Sequence, residues 1–110
     1  MLLNIENNIV MKFGLKQTTI DAINTVFRSF PEIEQVIIYG SRAKGTYKNG
    51  SDIDLTFKGN NLNSKIINKI DNQLDDLLLP YTFDLSIFKQ IKNPDLIAHI
   101  ERVGIVFYEK

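Results

Sequence analysis

The chain of 110 residues predicts an α/β (α+β) domain, with helices laid over one small mixed β-sheet. Three observations carry that reading. Ile53, Leu55 and Phe57 alternate with Asp52, Asp54 and Thr56, and Phe83, Leu85 and Ile87 alternate with Thr82, Asp84 and Ser86. Period two marks strands with one apolar and one polar face. Between these runs, Ile66, Ile67, Ile70, Leu74, Leu77 and Leu78 lie on one helical stripe, so residues 63 to 79 read as a long amphipathic helix. A helix between two strands is the usual right-handed crossover between parallel neighbours.

The remaining elements follow in order. Residues 1 to 13 mix apolar and polar side chains and fit either helix or strand. The first clear helix starts at Thr18, with Asp21 at capping-box spacing. Ile20, Ile23, Val26, Phe27 and Phe30 continue it at helical spacing until Pro31 stops it. Val36-Ile37-Ile38-Tyr39 is a β-branched run and reads as a buried strand ending at Gly40. Residues 40 to 51 form a polar, Gly-containing connection. Asn93-Pro94 is an N-cap followed by Pro at N1, opening a short helix that ends before Gly104. Ile105 to Tyr108 is a last strand. Length sets one domain over residues 1 to 110.

Composition narrows the function. Hydrophobic residues make up 44% and charged residues 24%, the balance of a globular domain rather than a disordered one. There is no cysteine, which excludes a disulfide framework, a Cys nucleophile and a zinc-thiolate site. Lys plus Arg equals Asp plus Glu, 13 each, which argues against free nucleic acid as partner. No apolar run reaches membrane-span length, and the N-terminus lacks the basic and apolar regions of a signal peptide. The expected compartment is the cytoplasm.

The chemistry lies in the polar faces. Asp52 and Asp54 are two apart in a strand, so their carboxylates leave the same face. Asp84 occupies the polar face of the following strand. If these strands are neighbours, three carboxylates converge, and like charges need a compensating cation. Oxygen-only ligands suit Mg²⁺ or Mn²⁺. Gly40-Ser41-Arg42-Ala43-Lys44-Gly45 supplies the other half. Gly40 lets backbone approach a ligand, Ser41 is placed to cap a short helix with free N–H groups, and Arg42, Lys44 and Lys48 add positive charge. The two halves meet only if the strand ending at Gly40 runs antiparallel to the strand carrying Asp54. Together they point to Mg²⁺-dependent phosphoryl or nucleotidyl transfer. Either motif alone marks many turns; the long-range pattern of Gly-Ser, ten residues, Asp-x-Asp and a later strand Asp is what singles the site out. The other polar side chains read more plainly. His99 is a surface or half-buried helix residue, Tyr39 a core residue, and Tyr47 a loop residue. Asp75, Asp76, Lys65 and Lys69 lie on solvated helix faces.

The segment from Gly40-Ser41 to Ser51-Asp52-Ile53-Asp54-Leu55 resembles the nucleotidyltransferase signature of the DNA polymerase beta superfamily. It is most similar to the minimal nucleotidyltransferases (MNT proteins), with Lys44 where many members carry Arg. The resemblance covers nearly the whole chain and implies a polymerase-beta-like nucleotidyltransferase fold. It implies that Asp52, Asp54 and Asp84 hold two Mg²⁺ ions, and that Asp84 helps deprotonate an acceptor hydroxyl. Gly40 and Ser41, with Arg42, Lys44 and Ser51, would bind ATP or another nucleoside triphosphate. About 20 residues follow the third strand, too few for an acceptor domain, so the acceptor is expected on another chain. In the resembled family that chain is a helical HEPN-domain toxin, and the MNT antitoxin silences it by transferring AMP to a Tyr. The alternatives are an antitoxin that neutralises its partner by occlusion without catalysis, and nucleotidyl transfer to a small molecule with a partner's help.

Overall fold

The computed structural model describes residues 11–110. In order these are β1 (Met11–Lys12), β2 (Leu15–Lys16), α1 (Gln17–Arg28), β3 (Gln35–Tyr39), α2 (Gly40–Lys44), β4 (Ile53–Lys58), α3 (Ser64–Asp75), β5 (Phe83–Ile87), a 3₁₀ turn (Phe88–Gln90), α4 (Pro94–Val103) and β6 (Ile105–Glu109). The main sheet has the order β5-β4-β3-β6. Strand β3 pairs antiparallel with β4 and with β6, whereas β4 and β5 are parallel, as the α3 connection requires. No helix among the described residues is long and apolar enough to cross a membrane.

Alternation then decides what each sheet face does. Val36, Ile38, Ile53, Leu55 and Phe57 point to one face, where Ile20, Ile23, Val26 and Phe27 of α1 and Ile70 and Leu74 of α3 complete the core. Phe27 lies at its centre, edge-on to Phe57 with ring centroids 5.4 Å apart and an interplanar angle of 89°. It also meets Phe107 and Tyr108 of β6. The opposite face carries Ile37 and Tyr39, which α4 covers through Ile100, with Leu96 and Val103 packed alongside. That cover lies on the β3 half. On the β4–β5 half, Asp84 stays exposed and Asp54 half-buried.

Several local expectations change. Helix α1 begins at Gln17, directly after β2, with Lys16 as an N-cap that makes no side-chain bond. Thr18 is therefore already inside the helix and forms no capping box with Asp21, whose carboxylate accepts from Gln17 Nε2 instead (2.8 Å). Phe30 is buried beyond the helix end rather than in its last turn. Helix α3 starts as expected, Asn63 accepting from the Ile66 amide, but it stops at Asp75. Leu78 takes a left-handed φ of 56° and is 88% exposed, so it leaves the apolar stripe it was assigned to. Ser41 caps nothing: α2 opens one residue earlier, with Tyr39 as N-cap and no side-chain bond. The Asn93-Pro94 start of α4 stands, Asn93 accepting from the Asp95 and Leu96 amides. Residues 1–10 of the ambiguous N-terminal stretch lie outside the described residues; Met11–Lys12 pairs with Leu15–Lys16 as a small hairpin. Its turn has positive φ at Phe13 and Gly14, without the usual Asn-Gly signal.

Phe27 is fully buried. Phe27→Ala is expected to destabilise the domain by about 3–5 kcal/mol, read as a drop in the denaturant midpoint.

Candidate active site

The site rests on one row across the sheet. Tyr39 on β3 pairs with Asp54 on β4, and Asp54 pairs with Asp84 on β5. Residues directly opposite in neighbouring strands share a face. Asp54 and Asp84 therefore stand side by side on the half of the sheet that α4 leaves open. Asp52 precedes β4 by one residue and is exposed. The antiparallel β3–β4 pairing also brings Gly40, the next residue after Tyr39, against Asp54. Gly40 has φ 71°, and a Cβ built there would overlap Asp54 Oδ2. Glycine is thus required twice, for its backbone angle and for its missing side chain.

Electrostatics agree with this crowding. The Asp54 carboxyl is raised above its ordinary range, first by burial and then by the charges of Asp84 and Asp52; Arg42 opposes the shift. The negative charge is under-compensated, the condition under which a divalent cation is attracted. Among the described residues no three His, Cys, Asp or Glu side chains are drawn together as a ready-made ligand set. The donor chemistry still fits Mg²⁺ or Mn²⁺. Mg²⁺ is commonly held by one or two carboxylates, with substrate phosphates completing its shell.

The loop between Gly40 and Asp52 is braced from inside. Arg42, expected among the nucleotide-binding residues, is only 2% exposed. Its Nε and Nη2 both donate to the Ser51 carbonyl (3.1 and 2.9 Å), and Nη1 donates to the Phe13 carbonyl (2.9 Å). The guanidinium lies between the rings of Tyr47 and Tyr81, 5.4 and 5.0 Å from their centroids. Arg42 thus pins the residue just before Asp52 and supplies a positive charge felt at Asp54. Ser51 takes part in the same brace: its Oγ accepts from the Lys48 amide at 2.8 Å. Tyr47 covers Gly14, where a Cβ would overlap its ring, so the N-terminal hairpin turn is part of the brace. Ser41 stays half-buried at the start of α2, and Lys44 is exposed at its end. Gly45, left-handed with φ 82°, closes α2 by donating to the Ser41 carbonyl.

Two contributors escaped the sequence reading. Tyr39 is buried as expected, but on the site's own face rather than in the main core. Its hydroxyl is raised by burial, opposed by the Ser86 hydroxyl, and raised further by Asp84 and Asp54. His99, on α4, accepts from the Gly40 amide through Nε2 at 3.2 Å. Strand pairing could have placed Tyr39 beside Asp54. No local signal links His99 to Gly40, which lie 59 residues apart.

Comparisons with known proteins agree with the fold. Solved structures share the fold. A toxin–antitoxin crystal structure with AMP-PNP superposes with a TM-score of 0.67 at 19% identity, over 83% of this chain and 73% of that one. The toxin–antitoxin MntA–HepT gives 0.62 at 16%, over 86% and 74%. The tri-AMPylated Shewanella oneidensis HEPN toxin in complex with MNT antitoxin gives 0.63 at 17%, over 86% and 72%. A sequence comparison with curated proteins gives no match. The sequence profile described as Polymerase beta, Nucleotidyltransferase matches residues 21–110 and takes in β3, the Gly40–Asp54 segment and Asp84; the chain belongs to the polymerase beta nucleotidyltransferase family.

Proposed function

We propose that this chain is a Mg²⁺-dependent protein adenylyltransferase that moves AMP from ATP to a hydroxyl, a Tyr, of a separate HEPN-domain toxin, and so acts as its antitoxin. The observation that carries the reading is the register row: Asp54 and Asp84 adjacent on one sheet face, with Gly40, which leads into Ser41, set against Asp54. Family membership supports nucleotidyl transfer. The nucleotide and the partner class are suggested by solved structures of similar fold, one with AMP-PNP and one with an AMPylated HEPN toxin.

In this reading Asp52, Asp54 and Asp84 hold the metal, with two ions expected. Bound Mg²⁺ would neutralise charge on the phosphates and on the attacking oxygen. Ser41 receives the β- and γ-phosphates through its amide and hydroxyl, Gly40 leaves the space beside Asp54 with its own amide held by His99, and Lys44 adds a mobile positive charge. Arg42 and Ser51 hold the loop that presents Asp52. Asp84 takes the acceptor hydroxyl's proton. The acceptor oxygen bonds to the α-phosphorus as its bond to the β-phosphate oxygen breaks, and pyrophosphate leaves. Because this chemistry is mainly positioning and charge neutralisation, its carboxylates must be fixed and ionised.

Incubation with α-labelled ATP, Mg²⁺ and a HEPN-domain protein tests the reading. Wild type should label the HEPN protein, and Asp54→Asn should not; full labelling by that variant removes the site assignment. If Asp54→Asn still neutralises the toxin without labelling it, the antitoxin works by occlusion. The same variant tests the electrostatics. The raised Asp54 group costs no stability below the unfolded carboxylate range, and the cost is complete once pH has risen through the raised value. At neutral pH Asp54→Asn should therefore melt a few degrees above wild type, with the difference vanishing below about pH 4. Gly40→Ala places a methyl on the Asp54 carboxylate. It should cost about a hundredfold in transfer rate while the far-ultraviolet circular dichroism stays native.

A further inference from the structure

We infer that His99 is a positioning residue for the nucleotide, holding the Gly40-Ser41 turn in its phosphate-accepting shape; this rests on the nucleotidyl-transfer reading above. Gly40 follows the last residue of β3 and opens α2, and its φ of 71° turns the chain there, with the Gly40 Cα against the Asp54 carboxylate and Ser41 next in the helix. In that geometry the Gly40 amide finds its partner in His99 Nε2, at 3.2 Å. Accepting there requires a neutral ring with its proton on Nδ1.

His99 is itself held in place. Its ring meets Tyr39 edge-on, with centroids 6.1 Å apart and an interplanar angle of 79°. The next residue, Ile100, is buried against the sheet with Ile37 and Tyr39. Helix α4 therefore delivers one acceptor to one amide, at the point where the phosphate-binding turn leaves β3. A partly buried amide without a partner is costly. Losing the acceptor should let the Gly40 amide rotate toward solvent and shift the turn that holds Gly40 against Asp54 and leads into Ser41. The ring stays one residue short of Ser41, so its work is orientation rather than chemistry.

Replacement by Gln and by Phe separates this role from simple packing. In Gln the side-chain oxygen reaches the position of Nε2; Phe keeps the ring and loses the acceptor. Three measurements apply to wild type, His99→Gln and His99→Phe: the thermal midpoint, the dissociation constant for Mg²⁺–AMP-PNP, and exchange of the Gly40 amide hydrogen. Wild type and His99→Gln should bind within about threefold of each other with a slow Gly40 amide. His99→Phe should bind about tenfold more weakly, with faster Gly40 exchange and a largely retained melting point. In steady state that loss should appear in KM for ATP more than in kcat. Unchanged binding by His99→Phe, or equal weakening in both variants, overturns the inference while leaving nucleotidyl transfer standing. Absence of AMP-PNP binding by wild type removes both.

Discussion

The pairing of Tyr39 with Asp54 across β3 and β4 is the constraint on which the site depends. A strand pairing is usually a matter of stability, since a one-residue slip turns the apolar side chains outward. Here the same slip would also move Asp54 into the main core and Gly40 away from its carboxylate. Burial of Ile53, Leu55 and Phe57 thus fixes the position of Asp54, because alternation leaves the carboxylate no other face. Folding and site assembly share one register.

The cost of that register is visible at Asp54. Burial and two neighbouring carboxylates act against its ionisation, and Arg42 offsets only part of the effect. Arg42 is consequently more than a counter-charge. Buried between Tyr47 and Tyr81, it spends its donors on the Ser51 and Phe13 carbonyls and ties the polar connection to the N-terminal hairpin. Lysine has a single donor centre and could not span both carbonyls while staying within reach of both rings. The connection from Gly45 to Gly50 is exposed throughout, yet it is anchored at both ends.

Much of this was readable in the residues because it follows from periodicity. Alternation around Asp54 and Asp84 gave their face, the helical stripe between them gave a parallel pair, and Gly-Ser before Asp-x-Asp gave the antiparallel requirement. What escaped depends on contacts far apart in sequence. Arg42 looked like a phosphate ligand because its loop is polar, and nothing local shows that Tyr47, Tyr81, Phe13 and Ser51 enclose it. The Thr18–Asp21 pattern failed because β2 runs directly into α1, so no free N-cap position exists where Thr18 stands. Leu77 and Leu78 matched the helical period, but α3 ends before them and the chain turns through a left-handed Leu78. Periodicity reports which residues would share a face if the helix continued; it does not report where the helix stops.

Placement of α4 completes the argument. Had this helix covered the whole second face, Asp54 and Asp84 would be sealed from phosphate and from any acceptor. Had it been absent, Ile37 and Tyr39 would face water. Its Ile100 packs on Ile37 and Tyr39, which are apolar enough to require it, while Asp84 stays exposed and Asp54 half-buried, and on that face burial returns only at Thr56, two residues further along β4. The distribution of apolar and acidic residues on one sheet face therefore sets both the docking position of a helix and the opening of the site. His99 stands on that boundary, where it faces a buried ring on one side and the Gly40 amide on the other.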